Sequence, residues 1–119
     1  MAMADVKQAL ASTEDLEITV TGRNSGRKIS FPVWFVLEGE ALYLLPVKGS
    51  ASNWYKNILR NPTMTISARG MEITVNVKPI IDPPTVREVV EKFRAKYGAA
   101  NIQRYYSNLD VAVEARLHG

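Results

Sequence analysis

Between Leu16 and Thr21 the chain alternates strictly, with Leu16, Ile18 and Val20 on one side and Glu17, Thr19 and Thr21 on the other. That period of two marks a half-buried strand. It resumes from Lys28 to Leu37, where Ile29, Phe31, Val33, Phe35 and Leu37 share a face. The opposite face carries Ser30, Pro32 and Trp34, so it is not wholly given to solvent. Glu38-Gly39-Glu40 turns the chain, and Ala41 to Val47 returns as a third strand that leaves its ladder at Pro46. Thr63 to Ala68 and Met71 to Ile81 form a second hairpin about Arg69-Gly70. Val111, Val113, Ala115 and Leu117 end the chain on a last alternating strand.

Helical spacing appears in between. Ala4 to Ala11 predicts a short leading helix on Val6, Ala9 and Leu10. Asn53 to Arg60 predicts another, with Trp54, Tyr55, Ile58 and Leu59 as its apolar face, Ser50 or Ser52 as its cap and Asn61-Pro62 as its end. Asp82-Pro83 is a strong helix start. Val86, Val89, Val90, Phe93 and Tyr97 follow at helical spacing and Gly98 stops the run. Asn101 to Asn108 allows a further turn or two. The expected fold is mainly β with α (α+β): about six antiparallel strands closed into a small barrel, with a few flanking helices.

At 119 residues the chain is most economically one domain spanning 1–119. No apolar run approaches the roughly 20 residues a bilayer crossing needs, so no stable membrane insertion is expected. The start lacks the plan of a signal peptide, and the expected compartment is the cytoplasm. There are no cysteines, which excludes thiolate nucleophiles and sulfur-ligated metals. The single histidine is His118, and nothing pairs with it as a metal cluster or catalytic triad, so no metal is expected. No carboxylate pair suggests glycoside hydrolysis. An enzyme of this composition would rely on a cofactor for its chemistry.

The net charge is +3, and its distribution tells more than its total. Lys92, Arg94 and Lys96 interleave with Glu88 and Glu91 as on a solvated helix. Arg23, Arg27 and Lys28 instead gather in the turn Thr21-Gly22-Arg23-Asn24-Ser25-Gly26-Arg27-Lys28. This is not a P-loop, because three residues rather than four separate its glycines. It reads either as an anion cradle of backbone amides, Ser25 and cations, or as a solvated hairpin turn. A second loop, Lys48-Gly49-Ser50, precedes the helix at Asn53. It reads either as a phosphate seat or as an ordinary serine cap beside a lysine. Trp34 either floors a flat ring or packs on the last helix or a second subunit, and Trp54 anchors its helix. Tyr105-Tyr106 either line a pocket mouth or dock the terminal segment. The basic group is small and has no nucleic-acid signature beside it, so nucleic acid is not an expected partner.

Taken in order, Thr21-Gly22-Arg23-x-Ser25-Gly26, Pro32-Val33-Trp34-Phe35, Lys48-Gly49-Ser50, Trp54-Tyr55-x-Asn57 and Asn61-Pro62 resemble the deazaflavin-dependent nitroreductase family. Its members are split β-barrels related to the FMN-binding pyridoxamine-phosphate oxidases. The resemblance covers about Leu16 to Val77. It implies coenzyme F420, with FMN as the alternative, delivering hydride to a quinone, nitro-aromatic or activated alkene. A further alternative is a non-catalytic module that binds a flavin or another anionic ligand. In family terms Arg23, Ser25, Gly26 and Lys28, with Lys48, Gly49 and Ser50, hold the phosphate and acidic tail. Pro32, Val33 and Trp34 border the ring, and Trp54 and Asn57 support the loop. Asn24 stands where many members carry a basic residue, and the segment from Gly49 to Trp54 is shorter than in better-known members. Catalytic side chains are not implied. The expected partners are a small-molecule cofactor and substrate, and split barrels of this size often form a homodimer.

Overall fold

The structure, a computed structural model, describes residues 8–11, 13 and 15–117. Its strands are β1 (Asp15–Thr21), β2 (Lys28–Trp34), β3 (Val36–Glu38), β4 (Ala41–Leu44), β5 (Thr63–Ala68), β6 (Met71–Ile80) and β7 (Ala112–Arg116). The longer helices are α1 (Asn53–Arg60), α2 (Pro83–Tyr97) and α3 (Ala99–Tyr105). A 3-10 turn spans Gly49–Ala51. Of the expected leading helix, residues 8–11 are helical and Ala4 to Lys7 lie outside the described residues, as does His118.

All pairings are antiparallel, in the order β2-β1-β5-β6-β7-β4-β3. The six expected strands become seven because the run from Lys28 breaks at Phe35. The third run is shorter than expected and leaves its ladder after Leu44, ahead of Pro46. The edge strands β2 and β3 are therefore successive pieces of one run. Strand β6 is shared in a similar way, with Met71–Asn76 pairing with β5 and Val77–Ile80 with β7. Two runs thus serve both halves of the sheet, which curls into an antiparallel split β-barrel.

Strand parity sorts the side chains. Leu16, Ile18, Val20, Phe35, Leu42, Leu44, Met64, Ile66, Val113 and Ala115 fill the barrel, with Trp54, Tyr55 and Ile58 of α1 packed among them. Each large apolar side chain buried this way contributes roughly 1.5–3 kcal/mol relative to exposure. Outside the barrel, Val86, Val89, Val90 and Phe93 of α2 and Ile102 of α3 cover Trp34, Val36, Tyr43, Leu45, Ile80 and Ala112. Helix α2 starts as its sequence dictates, since Asp82 accepts hydrogen bonds from the Thr85 N–H at 3.2 Å and from the Thr85 hydroxyl. It ends at Gly98, whose φ of 94° suits glycine.

Phe35 belongs to neither neighbouring ladder, so its peptide group needs partners from elsewhere. The Tyr97 hydroxyl accepts from the Phe35 N–H at 3.1 Å and donates to the Phe35 carbonyl at 3.0 Å. Lys96 Nζ donates to the same carbonyl at 2.8 Å and lies 3.7 Å from the centre of the Phe35 ring. Removing the hydroxyl in Tyr97→Phe leaves the N–H without its acceptor. Urea unfolding should show a loss of about 1–3 kcal/mol. An unchanged midpoint would mean the strand break does not depend on Tyr97.

Candidate functional site

A cleft of about 580 Å³ opens where β2 meets the start of α1 and the end of α3. Its walls are Phe31, Pro32, Val33 and Trp34 of β2, then Leu45, Val47 and Lys48, then Ser52, Asn53 and Trp54, then Tyr105 and Tyr106. The edge strand β2 supplies wall residues of both parities. Aromatic contacts set the shape. Trp34 stacks on Tyr97 with centroids 4.3 Å apart and planes within 5°, and meets Tyr105 edge-on at 5.6 Å. Phe31 lies 6.4 Å from Trp54. Trp34 therefore both packs on α2 and lines the cleft.

The polar groups of these walls have an uneven distribution of partners. Ser52, expected as a side-chain cap, instead accepts from the Lys48 backbone N–H at 2.8 Å. The Lys48 ammonium, the Trp54 indole N–H and the Tyr106 hydroxyl make no hydrogen bond within the described part of the protein. Among the described residues no fully buried polar side-chain atom lacks a partner, and Lys48, Trp54 and Tyr106 all belong to the cleft lining. Tyr106 is 8% exposed, and burial raises its phenol far above the ordinary range, which keeps it protonated. Both walls thus present donors to an aromatic slot of the size typical of small-molecule sites.

The first basic loop packs behind this slot. Asn57, buried at 4% exposure, accepts from the Arg23 N–H at 3.1 Å and from Arg23 Nη1 at 2.8 Å. The same Nη1 lies 3.5 Å from the carbonyl of Asn53, a cleft residue. The rest of that turn looks to itself: Ser25 Oγ accepts from the Arg27 N–H, Gly26 supplies a positive φ of 71°, and Lys28 Nζ donates to Thr21. Of the residues singled out from sequence, Pro32, Val33, Trp34, Lys48 and Trp54 line the cleft. Arg23 and Asn57 sit behind it. Ser25, Gly26 and Lys28 make hairpin contacts.

Gly49 and Ser50 face a residue that sequence reasoning passed over. Asp110 Oδ1 accepts from the Ser50 N–H at 2.9 Å and Oδ2 from the Ser50 hydroxyl at 2.5 Å. One step back, Ser107 donates to the Val47 carbonyl through its N–H at 2.9 Å and its hydroxyl at 3.2 Å. The segment after α3 thus clasps the loop that carries Lys48. In the sequence Asp110 is one more polar residue in Ser107-Asn108-Leu109-Asp110, with nothing local to reveal a partner 60 positions earlier. Asn53 was likewise missed as a wall residue, and only its helix-start position hinted at it.

Replacing Asn57 with Ala should free Arg23 and leave its N–H unpaired beside α1, lowering stability by about 1–3 kcal/mol in chemical unfolding. Asp110 makes a different prediction. The Ser50 hydroxyl, first among its partners, holds its carboxyl below the usual range. A depressed native value stabilises fully above the unfolded value of about 3.9 and is lost as pH falls through the native one. The melting temperature should therefore drop more steeply below about pH 4 in the natural protein than in Asp110→Asn. Asp82 is lowered too, by Thr85, so the difference between the two proteins is the readout. Parallel curves would refute the clasp.

The fold is shared by solved structures of low sequence identity. A conserved hypothetical protein from Mycobacterium tuberculosis is 16% identical, with a TM-score of 0.77 over 100% of this chain and 82% of that one. HutZ, the heme storage protein from Vibrio cholerae, is 13% identical, with a TM-score of 0.73 over 100% and 92%. An F420-H2 dependent reductase, FDR-A, is 19% identical, with a TM-score of 0.67 over 87% and 94%. At these identities the likeness is one of fold. Residues 6–116 match the family model for an "Uncharacterized protein conserved in bacteria (DUF2255)", and the chain belongs to that family.

Proposed function

We propose that the cleft binds a planar tricyclic redox cofactor, coenzyme F420 or alternatively FMN, and that the protein is an oxidoreductase acting on a quinone, nitro-aromatic or activated alkene. The observation that carries this is the aromatic slot with unpartnered donors on its walls. A flat ring would lie beside Pro32, Val33 and Trp34. Trp54, Tyr106 and Lys48 would offer donors to its carbonyl and ring-nitrogen acceptors. When bound, the cofactor supplies hydride chemistry that no side chain here offers. The chain's own part is to orient the ring, exclude water and meet negative charge with Lys48. Arg23 and Asn57 hold the cleft's α1 wall in place, and Gly49 and Ser50 shape the rim. A long acidic tail leaving past Asn53 would reach Arg23 and the turn carrying Ser25, Gly26 and Lys28. FDR-A, an F420-H2 dependent reductase with the same fold, supports the choice of cofactor.

A second reading, a carrier without turnover, is favoured by the cleft's ionisable lining, which consists of Lys48, Tyr105 and Tyr106 with no acid–base pair. Titration with F420 and with FMN, followed by quenching of Trp34 and Trp54, tests the shared claim. Absence of quenching by both at tens of micromolar ends it. Oxidation of the reduced cofactor by menadione or a nitro-aromatic then separates enzyme from carrier. Lys48→Ala should weaken binding by about 1–3 kcal/mol if the ammonium meets a charged group. Unchanged affinity would confine Lys48 to a structural role.

A further inference from the structure

We infer that Asp110 is a specificity-determining residue beside the cleft: its carboxylate occupies the N–H and hydroxyl of Ser50, two positions after the lining residue Lys48, and turns a ligand's phosphate away from that part of the loop. The inference rests on the reading that the cleft binds a flavin-type ring, and it concerns where the anionic tail can go. The loop has what an anion seat needs, namely an N–H, a hydroxyl and a glycine at φ +57° that lets an anion approach the backbone. The protein fills that seat itself. A Cβ added at Gly49 would fall 2.1 Å from Asp110 Oδ1 and 2.9 Å from the Asn108 side chain. The carboxylate therefore occupies space that only glycine leaves.

A phosphate arriving there would have to displace both Ser50 hydrogen bonds and lie beside a fixed negative charge. The two bonds from Ser107 to the Val47 carbonyl anchor the segment in register, so the carboxylate does not swing aside freely. Positive charge is offered instead by Lys48, which lines the cleft, and along α1. Asn53, Lys56 and Arg60 follow at helical spacing, Arg23 lies against Asn53, and neither Lys56 nor Arg60 has an ion pair among the described residues. An anionic tail is thus directed out over α1.

The test compares riboflavin with FMN, which differ by the phosphate, on the natural protein, Asp110→Asn and Asp110→Ala, by tryptophan quenching. Asp110→Asn keeps an oxygen for the Ser50 N–H and removes the charge, so it decides the matter even if the alanine variant proves unstable in a melting curve. The ratio of FMN to riboflavin affinity should rise about threefold to tenfold in Asp110→Asn and further in Asp110→Ala, with riboflavin affinity near that of the natural protein. If riboflavin and FMN bind and their ratio is the same with and without the carboxylate, the inference is overturned while the cofactor reading stands. If no ring binds to any of the three proteins, the cofactor reading fails and takes the inference with it.

Discussion

The peptide group of Phe35 is the constraint the rest of the structure depends on. One run of chain serves both halves of the sheet, and at the crossing its backbone has left one ladder and not yet joined the next. A buried N–H or carbonyl without a partner costs as much as a lost hydrogen bond or more. A tyrosine hydroxyl can accept and donate at once, and Tyr97 does both. That solution fixes the end of α2 on the strand. It also places the Tyr97 ring flat against Trp34. The cleft wall is therefore tied to the contacts that satisfy the backbone at Phe35.

Two polar latches complete the cleft, and burial separates their roles. Asn57 is buried and takes two hydrogen bonds from a residue 34 positions away, so losing it leaves unpaired groups in a poorly solvated place. Asp110 is exposed, and its hydrogen bonds from the neutral Ser50 contribute modestly to stability. The weight of Asp110 lies in the sign it gives one rim. Fold stability and the charge beside the loop are thus divided between two side chains, of which sequence reasoning singled out only Asn57.

Much of the fold was legible because parity survives everything the chain does. Phe31, Val33, Phe35 and Leu37 face the barrel and Trp34 and Val36 face α2, as alternation from Lys28 onward requires. The break at Phe35 was invisible for the same reason, since the strand changes neighbours without changing faces. Ile29 has inward parity yet is 41% exposed, and Leu59 is 55% exposed, because each lies near an element's end where nothing packs over it. Lys96 looked like a solvated helix charge and instead bonds the Phe35 carbonyl. Of the cleft lining, Pro32 and Val33 were named only through the family resemblance, and Lys48 and Trp34 were singled out with their alternatives open. Asp110 could not be read, because its partner is fixed only once the barrel closes.

The uneven satisfaction of polar groups bears most directly on what the cleft is for. Among the described residues the fully buried polar side-chain atoms all have partners, so this chain does not leave polar groups idle where packing could serve them. Lys48, Trp54 and Tyr106 nonetheless line one cleft, and their donors have no acceptor among the described residues. An ammonium and an indole N–H can only donate, and a phenol kept protonated by burial donates readily. An acceptor-rich planar ring satisfies the donors and covers the aromatic faces in one step, which is why the lining argues for such a ring over a generic apolar guest.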